Sequence, residues 1–286
     1  MILVVGNINY DILFPLGKLP ESHEKLECPE AEARFGGSGA NTAWWLARLG
    51  VPVALAGAVG GDLLGAAHLA SLKEAGVFVN GVDRVKGESG LAVIFSLGRE
   101  KRMIRSPGAN RLGDFHPELL EDCRLVYLSG SQERLRTGYA AGASSRGIRV
   151  LCGWQGAGDD KMARMAHGFI LNADEARNLT GINEPEESIR ALDSPLAAVT
   201  LPQGGCVVSQ GIKVQHVPAP ELDPIDRTGG GDAFAAAFLA GLYRGKKVGE
   251  CGSMGNCLAA AVIMEKGARP EIEVPGELQE MLVTSD

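Results

Sequence analysis

The chain opens with Met1-Ile2-Leu3-Val4-Val5-Gly6, a short apolar run that ends at a glycine. A continuous apolar run of this length is typical of a strand with both faces buried, as in a parallel sheet covered by helices on each side. Similar short apolar runs recur along the chain at 53–56, 125–128, 150–152, 169–171 and 197–201. We therefore predict strands at these positions and a central, mostly parallel sheet.

Helical patterns lie between these predicted strands. Residues 41–49 carry apolar side chains at helical spacing and stop at Gly50, and residues 63–75 stop in the same way at Gly76. A glycine directly after the last helical residue is a common helix end. Strands that alternate with helices through short connections predict an α/β fold in which helices flank the sheet on both faces.

Two segments, 12–35 and 88–105, interrupt this alternation. The first is rich in proline and glutamate, and the second alternates loosely between apolar and polar residues. Loose alternation is typical of half-exposed antiparallel strands. Because no long linker or internal repeat occurs, we predict one domain over residues 1–286 that carries a small β-sheet lid formed by the two segments.

Composition excludes several classes of protein. Hydrophobic residues make up 45% of the chain and charged residues 22%, as in ordinary globular proteins. A net charge of −7 argues against nucleic-acid binding, which needs a basic face. No apolar run approaches the roughly 18 residues of a membrane span, no signal peptide is visible, and the six cysteines are scattered. We therefore predict a cytoplasmic protein that binds neither nucleic acid nor membranes.

The strongest chemical signal is Asp226-Arg227-Thr228-Gly229-Gly230-Gly231-Asp232-Ala233-Phe234, which leads into the helix-forming residues 235–243. Backbone N–H groups at a helix N-terminus bind phosphate, and glycines let the phosphate approach closely. A carboxylate beside such a site, here Asp232, suits removal of a proton from an alcohol during phosphoryl transfer. A flexible loop with an acidic residue near a helix start explains the local sequence equally well.

A second glycine cluster, Phe35-Gly36-Gly37-Ser38-Gly39-Ala40-Asn41, also enters a predicted helix. The Asn41 amide can both donate and accept hydrogen bonds to a ligand, although a simple helix N-cap is the alternative. Neither cluster continues as the GxGxxG of dinucleotide-binding proteins, and the chain has no GxxxxGK[ST] phosphate loop. These absences disfavour a dehydrogenase and a P-loop enzyme.

In this order and separation, the two clusters resemble the two signatures of the ribokinase-like carbohydrate kinases, the PfkB family of sugar and nucleoside kinases. The stretches 6–11, 172–175 and 256–268 are similar to further family landmarks. The resemblance implies a ribokinase-like fold and transfer of the γ-phosphoryl group of ATP, with Mg²⁺, to a hydroxymethyl group of a ribose- or fructose-type sugar. An adenosine-type nucleoside kinase and a non-catalytic sugar- or nucleotide-binding relative stay open as alternatives.

The resemblance also implies a role for each matching residue. Asp232 would be the catalytic base, and an anion hole for the transferred group would be formed by the amides of Gly229, Gly230 and Gly231. The hydroxyl groups of the acceptor would be bound by Asn9, Asp11, Gly36, Gly37 and Asn41. The ATP pocket would include Asn172, Thr200, Gly205 and Asn256.

Metal ions and a partner chain follow from the same resemblance. Glu175 would organise Mg²⁺, through water because this ion keeps much of its hydration shell. Asp226 and Thr228 match positions whose backbone carbonyls hold a monovalent cation such as K⁺ in many relatives. The lid resembles one that often also builds a homodimer.

Departures from the family pattern bear on the substrate. Pro202 stands at the first glycine of the usual TLGxxG stretch, Ser129 lies where ribokinases tend to carry an acidic sugar ligand, and Ser38 replaces the lysine of GGKGAN. Residues 106–110 nevertheless keep a ribokinase-like PGAN. Because no lysine cluster accompanies the predicted acceptor site, we predict a small neutral polyol and leave its identity open.

Overall fold

The computed structural model describes residues 1–98, 100–130, 132–153 and 164–283. Its strands, in chain order, are β1 (Ile2–Val5), β2 (Asn9–Pro15), β3 (Glu32–Gly36), β4 (Val53–Gly60), β5 (Phe78–Val85), β6 (Gly90–Leu97), β7 (Glu100–Ser106), β8 (Leu125–Leu128), β9 (Arg149–Cys152), β10 (Gly168–Asn172), β11 (Leu196–Thr200), β12 (Cys206–Gln210) and β13 (Lys213–Val217). Its helices are α1 (Ser38–Arg48), α2 (Leu63–Glu74), α3 (Glu133–Ser144), α4 (Ala173–Thr180), α5 (Pro185–Ala191), α6 (Gly230–Tyr243), α7 (Val248–Ile263) and α8 (Gly276–Val283).

The main sheet has the strand order β13-β12-β11-β10-β9-β8-β1-β4-β5. The strands from β11 to β5 in this order pair in parallel, and β12 and β13 add an antiparallel edge. The strands predicted from apolar runs are confirmed, with β4 ending at Gly60 rather than at residue 56. Three further strands, β5, β12 and β13, were not predicted from the sequence. The α/β fold with a mostly parallel sheet is confirmed.

Helices cover both faces of the main sheet, as the alternation of side chains along β1 requires. Ile2 and Val4 belong to a core that also contains residues of α1, α6 and α7, whereas Leu3 and Val5 belong to a core with residues of α3, α4 and α5. Successive side chains of a strand point to opposite faces, so a strand without polar residues must be covered twice. Within the described residues, no helix has the length and apolarity to cross a bilayer.

A separate sheet, which we call the small sheet, has the order β3-β2-β6-β7. Its strands arise largely from segments 12–35 and 88–105, in which residue 99 lies outside the described residues. β2 pairs in parallel with β6, while β3 and β7 pair antiparallel at the edges. Because β2 follows β1 after three residues and β3 ends just before α1, the small sheet sits at the carboxyl end of β1.

Candidate active site

Asp232 lies in the first turn of α6, whose N-cap residue is Gly229. Gly229 adopts a left-handed φ of 80°, and a side chain there would collide with Ala268, so this turn requires glycine. At Gly231, by contrast, a Cβ atom would meet no described atom within 4 Å. Packing therefore does not explain this glycine, whereas an open helix N-terminus leaves room for an anionic ligand at the backbone N–H groups.

Asn41 connects α1 to this turn. Its Nδ2 atom donates a hydrogen bond of 2.8 Å to Oδ2 of Asp232. The alternative interpretation of Asn41 as an N-cap is wrong, because α1 begins at Ser38 and its N-cap residue is Gly37, with φ 91°. Asn41 lies one helical turn after Gly37, is only 4% exposed, and points its side chain towards the start of α6.

Arg269 belongs to the same cluster, although it was not predicted from the sequence. Its Nε atom donates to Oδ1 of Asn41 at 2.8 Å, and its Nη2 atom lies 3.0 Å from Nε2 of His68. The segment before it is anchored by Trp45, whose buried indole N–H donates to the carbonyl of Ala268 at 3.0 Å. The available signal was its position directly after the landmark stretch 256–268.

Asp11 and Asn9 reach the site from β2, where Asn9 pairs with Gly36 of β3. The Asp11 carboxylate occupies the space that a side chain at Gly36 would fill, so any larger residue at this position would displace the carboxylate. Asn9 is oriented by the buried Asn110, whose Nδ2 donates to Oδ1 of Asn9 at 2.7 Å and whose Oδ1 accepts the N–H of Ile8 at 2.8 Å. The PGAN stretch thus orients Asn9 of the predicted acceptor site through hydrogen bonds made by Asn110.

Two carboxylates and one guanidinium share the site. Burial raises the pKa of Asp232 to about 7, opposed by the Asn41 hydrogen bond and by Arg269. Burial also raises the pKa of Asp11 to about 6, with Arg269 opposing. For the Arg269 guanidinium, burial lowers the pKa to about 9 although both carboxylates oppose it. A carboxyl group with a pKa near neutral can take a proton from a hydroxyl at physiological pH.

Two buried polar atoms of this cluster, Oδ1 of Asp11 and Nη1 of Arg269, have no hydrogen-bond partner within the described ranges. Leaving such a group unpartnered costs about 1–3 kcal/mol, and more when the group is charged. An ionised carboxylate accepts only and a guanidinium donates only. A polyhydroxylated ligand would match this pair, because each hydroxyl both donates and accepts.

A cavity of about 1200 Å³ lies beside the start of α6 and is lined by Gly230 and Gly231. The residues predicted to bind ATP all line this cavity, namely Asn172, Thr200, Gly205 and Asn256. Asn172 and Thr200 are paired at the carboxyl ends of the adjacent parallel strands β10 and β11, where α/β sheets bind their ligands. The Asn256 amide donates to the carbonyl of Val217 at 3.0 Å and so holds the end of β13 at the cavity.

Asn172 and Glu175 form the capping box of α4. Oδ1 of Asn172 accepts the N–H of Glu175, and Oε2 of Glu175 accepts the N–H of Asn172, both at 2.8 Å. The part of the chain that the structure describes contains no group of three or more His, Cys, Asp or Glu side chains able to hold a metal ion. With Oε1 of Glu175 outside the capping box, these residues fit an Mg²⁺ ion held through water and the phosphates of a nucleotide.

Lys101 of β7 reaches from the small sheet to Asp226 and Thr228. Its Nζ atom donates to Oδ1 of Asp226 at 2.6 Å and to Oγ1 of Thr228 at 2.9 Å, while Oδ2 of Asp226 accepts the N–H of Gly267 at 2.9 Å. Burial would raise the pKa of Asp226, but these hydrogen bonds hold it well below its ordinary range. Because the Lys101 ammonium already donates to the side-chain oxygens of Asp226 and Thr228, a monovalent cation there would depend on backbone carbonyls.

Known proteins match the chain over almost its whole length. The family model described as pfkB family carbohydrate kinase matches residues 1–275. A protein described as an uncharacterized sugar kinase of Archaeoglobus fulgidus is 31% identical over 242 residues, which cover 78% of this chain and 96% of that protein. A ribokinase of Lactococcus lactis subsp. lactis is 27% identical over 291 residues and 97% of each chain. The structure of Arabidopsis thaliana ribokinase complexed with ribose and ATP matches with a TM-score of 0.86, at 25% identity and 99% coverage of each chain.

Proposed function

Because the chain belongs to the pfkB family of carbohydrate kinases, we propose that it transfers the γ-phosphoryl group of ATP to a hydroxymethyl group of a ribose- or fructose-type sugar. It is a sugar kinase of the ribokinase family, a phosphotransferase with an alcohol as acceptor. The observation that carries the proposal is the position of Asp232. It directly follows Gly231, which lines the cavity, and it accepts a hydrogen bond from Asn41 close to the Asp11 carboxylate.

In the proposed reaction Asp232 takes the proton of the acceptor hydroxyl. The hydroxyl oxygen forms a bond to the γ-phosphorus as the bond between that phosphorus and the bridging oxygen breaks, and ADP leaves with the electron pair. The amides of Gly229, Gly230 and Gly231 bind the charge on the transferred group, because a helix N-terminus points N–H groups at it. Phosphoryl transfer leaves little covalent work for the protein, so this positioning supplies most of the catalysis.

The acceptor is held by side chains and backbone of the small sheet and of α1. Asp11 accepts a hydrogen bond from a hydroxyl, and the other groups that contact the acceptor are Asn9, Gly36, Gly37 and Asn41. When both carboxyl groups of Asp11 and Asp232 are ionised, Arg269 balances only one of them, so a phosphate on the acceptor would be repelled. This charge balance supports a neutral polyol.

The cavity beside α6 and the turn before that helix are the proposed sites for ATP and the metal ions. ATP fills the cavity formed by Asn172, Thr200, Gly205 and Asn256, and Glu175 holds the water shell of Mg²⁺. The Mg²⁺ ion neutralises phosphate charge when it is bound. A monovalent cation such as K⁺ would use the backbone carbonyls of Asp226 and Thr228, where the Lys101 ammonium supplies a positive charge in its absence. The use of ATP supports the cytoplasmic location that the sequence predicts.

A second candidate acceptor, a nucleoside, is favoured by one contact. Ser129 and Ser38, which both depart from the ribokinase pattern, donate and accept a hydrogen bond of 2.8 Å between their hydroxyl groups. A lysine and an acidic residue would be larger and charged, so the serine pair leaves more room and less charge for the part of the acceptor that carries a base. An adenosine-type kinase therefore remains the alternative.

The small sheet is proposed to act as a lid over the acceptor and as a homodimer interface. Its edge strand β7 is exposed at every described position and carries Met103 and Ile104, which are 55% and 65% exposed. An exposed edge strand with apolar side chains is a ready surface for pairing with another chain.

The proposed function is tested by incubating the protein with ATP and Mg²⁺ and following ADP release with each of several acceptors. The panel contains ribose, 2-deoxyribose, fructose, adenosine, inosine and ribose 1-phosphate, and NMR locates the new phosphate ester. We expect ADP release with a neutral sugar and a phosphate on its hydroxymethyl group. Release with nucleosides alone would establish the alternative, and release with none would overturn both.

A further inference from the structure

Four side chains of the site form one chain of hydrogen bonds. Nη2 of Arg269 contacts Nε2 of His68 at 3.0 Å, Nε of Arg269 donates to Oδ1 of Asn41 at 2.8 Å, and Nδ2 of Asn41 donates to Oδ2 of Asp232 at 2.8 Å. We propose that Arg269 is a positioning residue that fixes the Asn41 amide, and so favours the ionised form of Asp232 and aims it at the acceptor hydroxyl. This inference rests on the proposed role of Asp232 as the base.

The direction of the chain follows from what each group can donate. A guanidinium donates and never accepts, so the Asn41 amide must turn its oxygen towards Arg269. The NH₂ group of the amide then faces Asp232 and donates to its carboxylate. A donor at this place favours the ionised carboxylate, whereas an amide oxygen there would favour the protonated one. Arg269 therefore selects the amide orientation that a proton-accepting Asp232 needs.

His68 holds the other end of the guanidinium. It is 2% exposed, and its ring lies against Phe35 with 4.7 Å between the ring centroids. Burial lowers the pKa of His68 well below its ordinary value, and the charge of Arg269 lowers it further. The ring is therefore neutral, with Nε2 as acceptor for Arg269 and the proton on Nδ1. It fixes the guanidinium without adding a second positive charge.

The charges around Asp232 make Arg269 difficult to replace. In the described part of the chain, the titratable groups that act on Asp232 come from β2, α4, β8 and the segment after α7, and they are Asp11, Glu175, Tyr127 and Arg269. Arg269 alone among them is positive, and both carboxylates raise the pKa of Asp232. Loss of Arg269 would leave Asp232 near the acidic groups of Asp11 and Glu175. It would also let the Asn41 amide rotate so that its oxygen faces Asp232.

The test compares kcat as a function of pH for the full-length wild type, Arg269→Met and Arg269→Lys with the best acceptor of the panel. The base acts when ionised, so kcat rises with pH through the pKa of Asp232. In Arg269→Met we expect this rise to move to higher pH by about one unit, so that kcat falls about fivefold at pH 7 and recovers at pH 9. Arg269→Lys keeps the charge and should move the rise less, and KM for ATP should stay unchanged in both variants.

Arg48→Gln is the matched control, because Arg48 donates to the carbonyl of Ile272 at 2.9 Å and so anchors the same segment outside the site. It should leave the pH profile where it is. An equal loss of kcat at every pH in Arg269→Met would mean a structural role and would overturn the inference. Asn41→Leu, which removes the amide donor without adding a charge, must move the profile in the same direction, and an unmoved profile in this second variant would overturn the inference if Arg269→Met does not fold.

The inference and the proposed function fail in different ways. An active wild type whose profile does not move in either variant would refute the positioning role alone. A wild type that phosphorylates no acceptor would refute the proposed function. In that case ¹³C NMR titration of the Asp232 carboxyl, assigned with Asp232→Asn, still measures whether Arg269→Met raises its pKa, and an unchanged value would refute the inference.

Discussion

At Asp232, the burial that suits the carboxyl group to catalysis also makes it costly to the fold. Its pKa rises from the ordinary 3.8 to about 7 in the folded chain, mainly through burial. The folded state therefore binds the proton more tightly than the unfolded chain does. Stability is lost as the pH rises from about 4 through about 7, because ionisation is then easier in the unfolded chain.

Asp232→Asn is predicted to lower kcat by roughly 10²–10⁴ while the affinity for ATP changes little. The amide keeps the shape of the side chain but loses its basicity. The phosphates of ATP would rest on backbone N–H groups of the glycine turn, which the substitution leaves in place. Steady-state kinetics and ATP titration on the purified variant measure both effects, and a kcat within a few-fold of the wild type would contradict the assignment.

Thermal denaturation of the same variant supplies the control for folding. Because the amide that replaces the carboxyl group does not ionise, Asp232→Asn should melt at a higher temperature than the wild type at pH 8. The difference should narrow as the pH falls from 7 towards 4, where the wild-type carboxyl is protonated in the folded state. A lower melting temperature at pH 8 would mean that the loss of activity has a structural cause.

Asp11→Ala is predicted to raise KM for the acceptor sharply, with a smaller effect on ATP. Oδ1 of Asp11 has no hydrogen-bond partner within the described ranges, so the acceptor would supply it. Removing the carboxylate leaves a buried hydroxyl of the acceptor unpaired, which costs binding free energy. Kinetics with ribose and its deoxy analogues locate that hydroxyl, since the analogue that lacks it should lose little more in the variant. An unchanged KM for every accepted substrate would remove Asp11 from the site.

At the scale of elements, β7 contacts the turn before α6 through one side chain. Lys101 donates to Asp226 and Thr228, four residues or more before the base. Lys101→Met should therefore leave the nearly buried Asp226 carboxylate without its charged partner and make activity depend on added K⁺, whereas wild-type activity should respond much less. The measurement is kcat against K⁺ concentration at constant ionic strength.

Arg102→Met is the control for this prediction, because the neighbouring Arg102 is exposed and lies only within 3.7 Å of Glu100. It should leave the response to K⁺ as in the wild type. A Lys101→Met variant with an equally flat response would show that the ammonium does not take the place of a cation.

The small sheet as a whole is predicted to become less accessible when the acceptor binds. A lid keeps water from competing with the acceptor for the phosphoryl group. Trypsin has exposed cleavage sites in the lid segments 12–35 and 88–105, including Lys18, Lys101, Arg102 and Arg105. Cleavage there, followed by mass spectrometry, should slow when the acceptor is added, with an unaccepted sugar as the control. Fast cleavage that ignores the acceptor would count against closure.

At the scale of the whole molecule, the exposed edge of the small sheet predicts a homodimer. Ile104→Asp places a charge on the edge strand β7, at a position that is 65% exposed and so tolerates it in the isolated chain. We expect sedimentation to change from dimer to monomer, whereas Ile212→Asp, at a 96% exposed position in the turn between β12 and β13, should leave the dimer intact. A wild type that sediments as a monomer at all concentrations would refute the prediction.

Local patterns predicted most of the main sheet and the two glycine turns that precede α1 and α6. Buried parallel strands leave a continuous apolar run, and a helix that ends at glycine leaves a mark of its own, so β1, β8 and α2 were readable directly. The edge strands β5 and β13 are only partly buried and so leave no continuous apolar run, whereas the apolar residues of the buried β12 form a run of only three, Cys206–Val208. Their existence depends on the strands beside them.

The candidate site divides in the same way. Asp232, Asn41 and Asp11 were predicted because motifs of fixed spacing carry them, and their proposed roles await the experiments above. Arg269 was not predicted, because a single arginine after a glycine and an alanine has no pattern that distinguishes it from a surface residue. Its partner Asn41 lies 228 positions away in the chain.

The sequence by itself determined the class of fold, the two glycine turns and the chemistry that such turns can perform, since each depends on residues close together in the chain. Only the tertiary structure decided which groups meet at Asp232. The close packing of α1 against α6, with Trp45 anchoring the segment that carries Arg269, brings Asn41, Asp11 and Arg269 within range of one another. Electrostatic effects on a carboxyl group depend on distance and burial, and neither exists until the chain has folded.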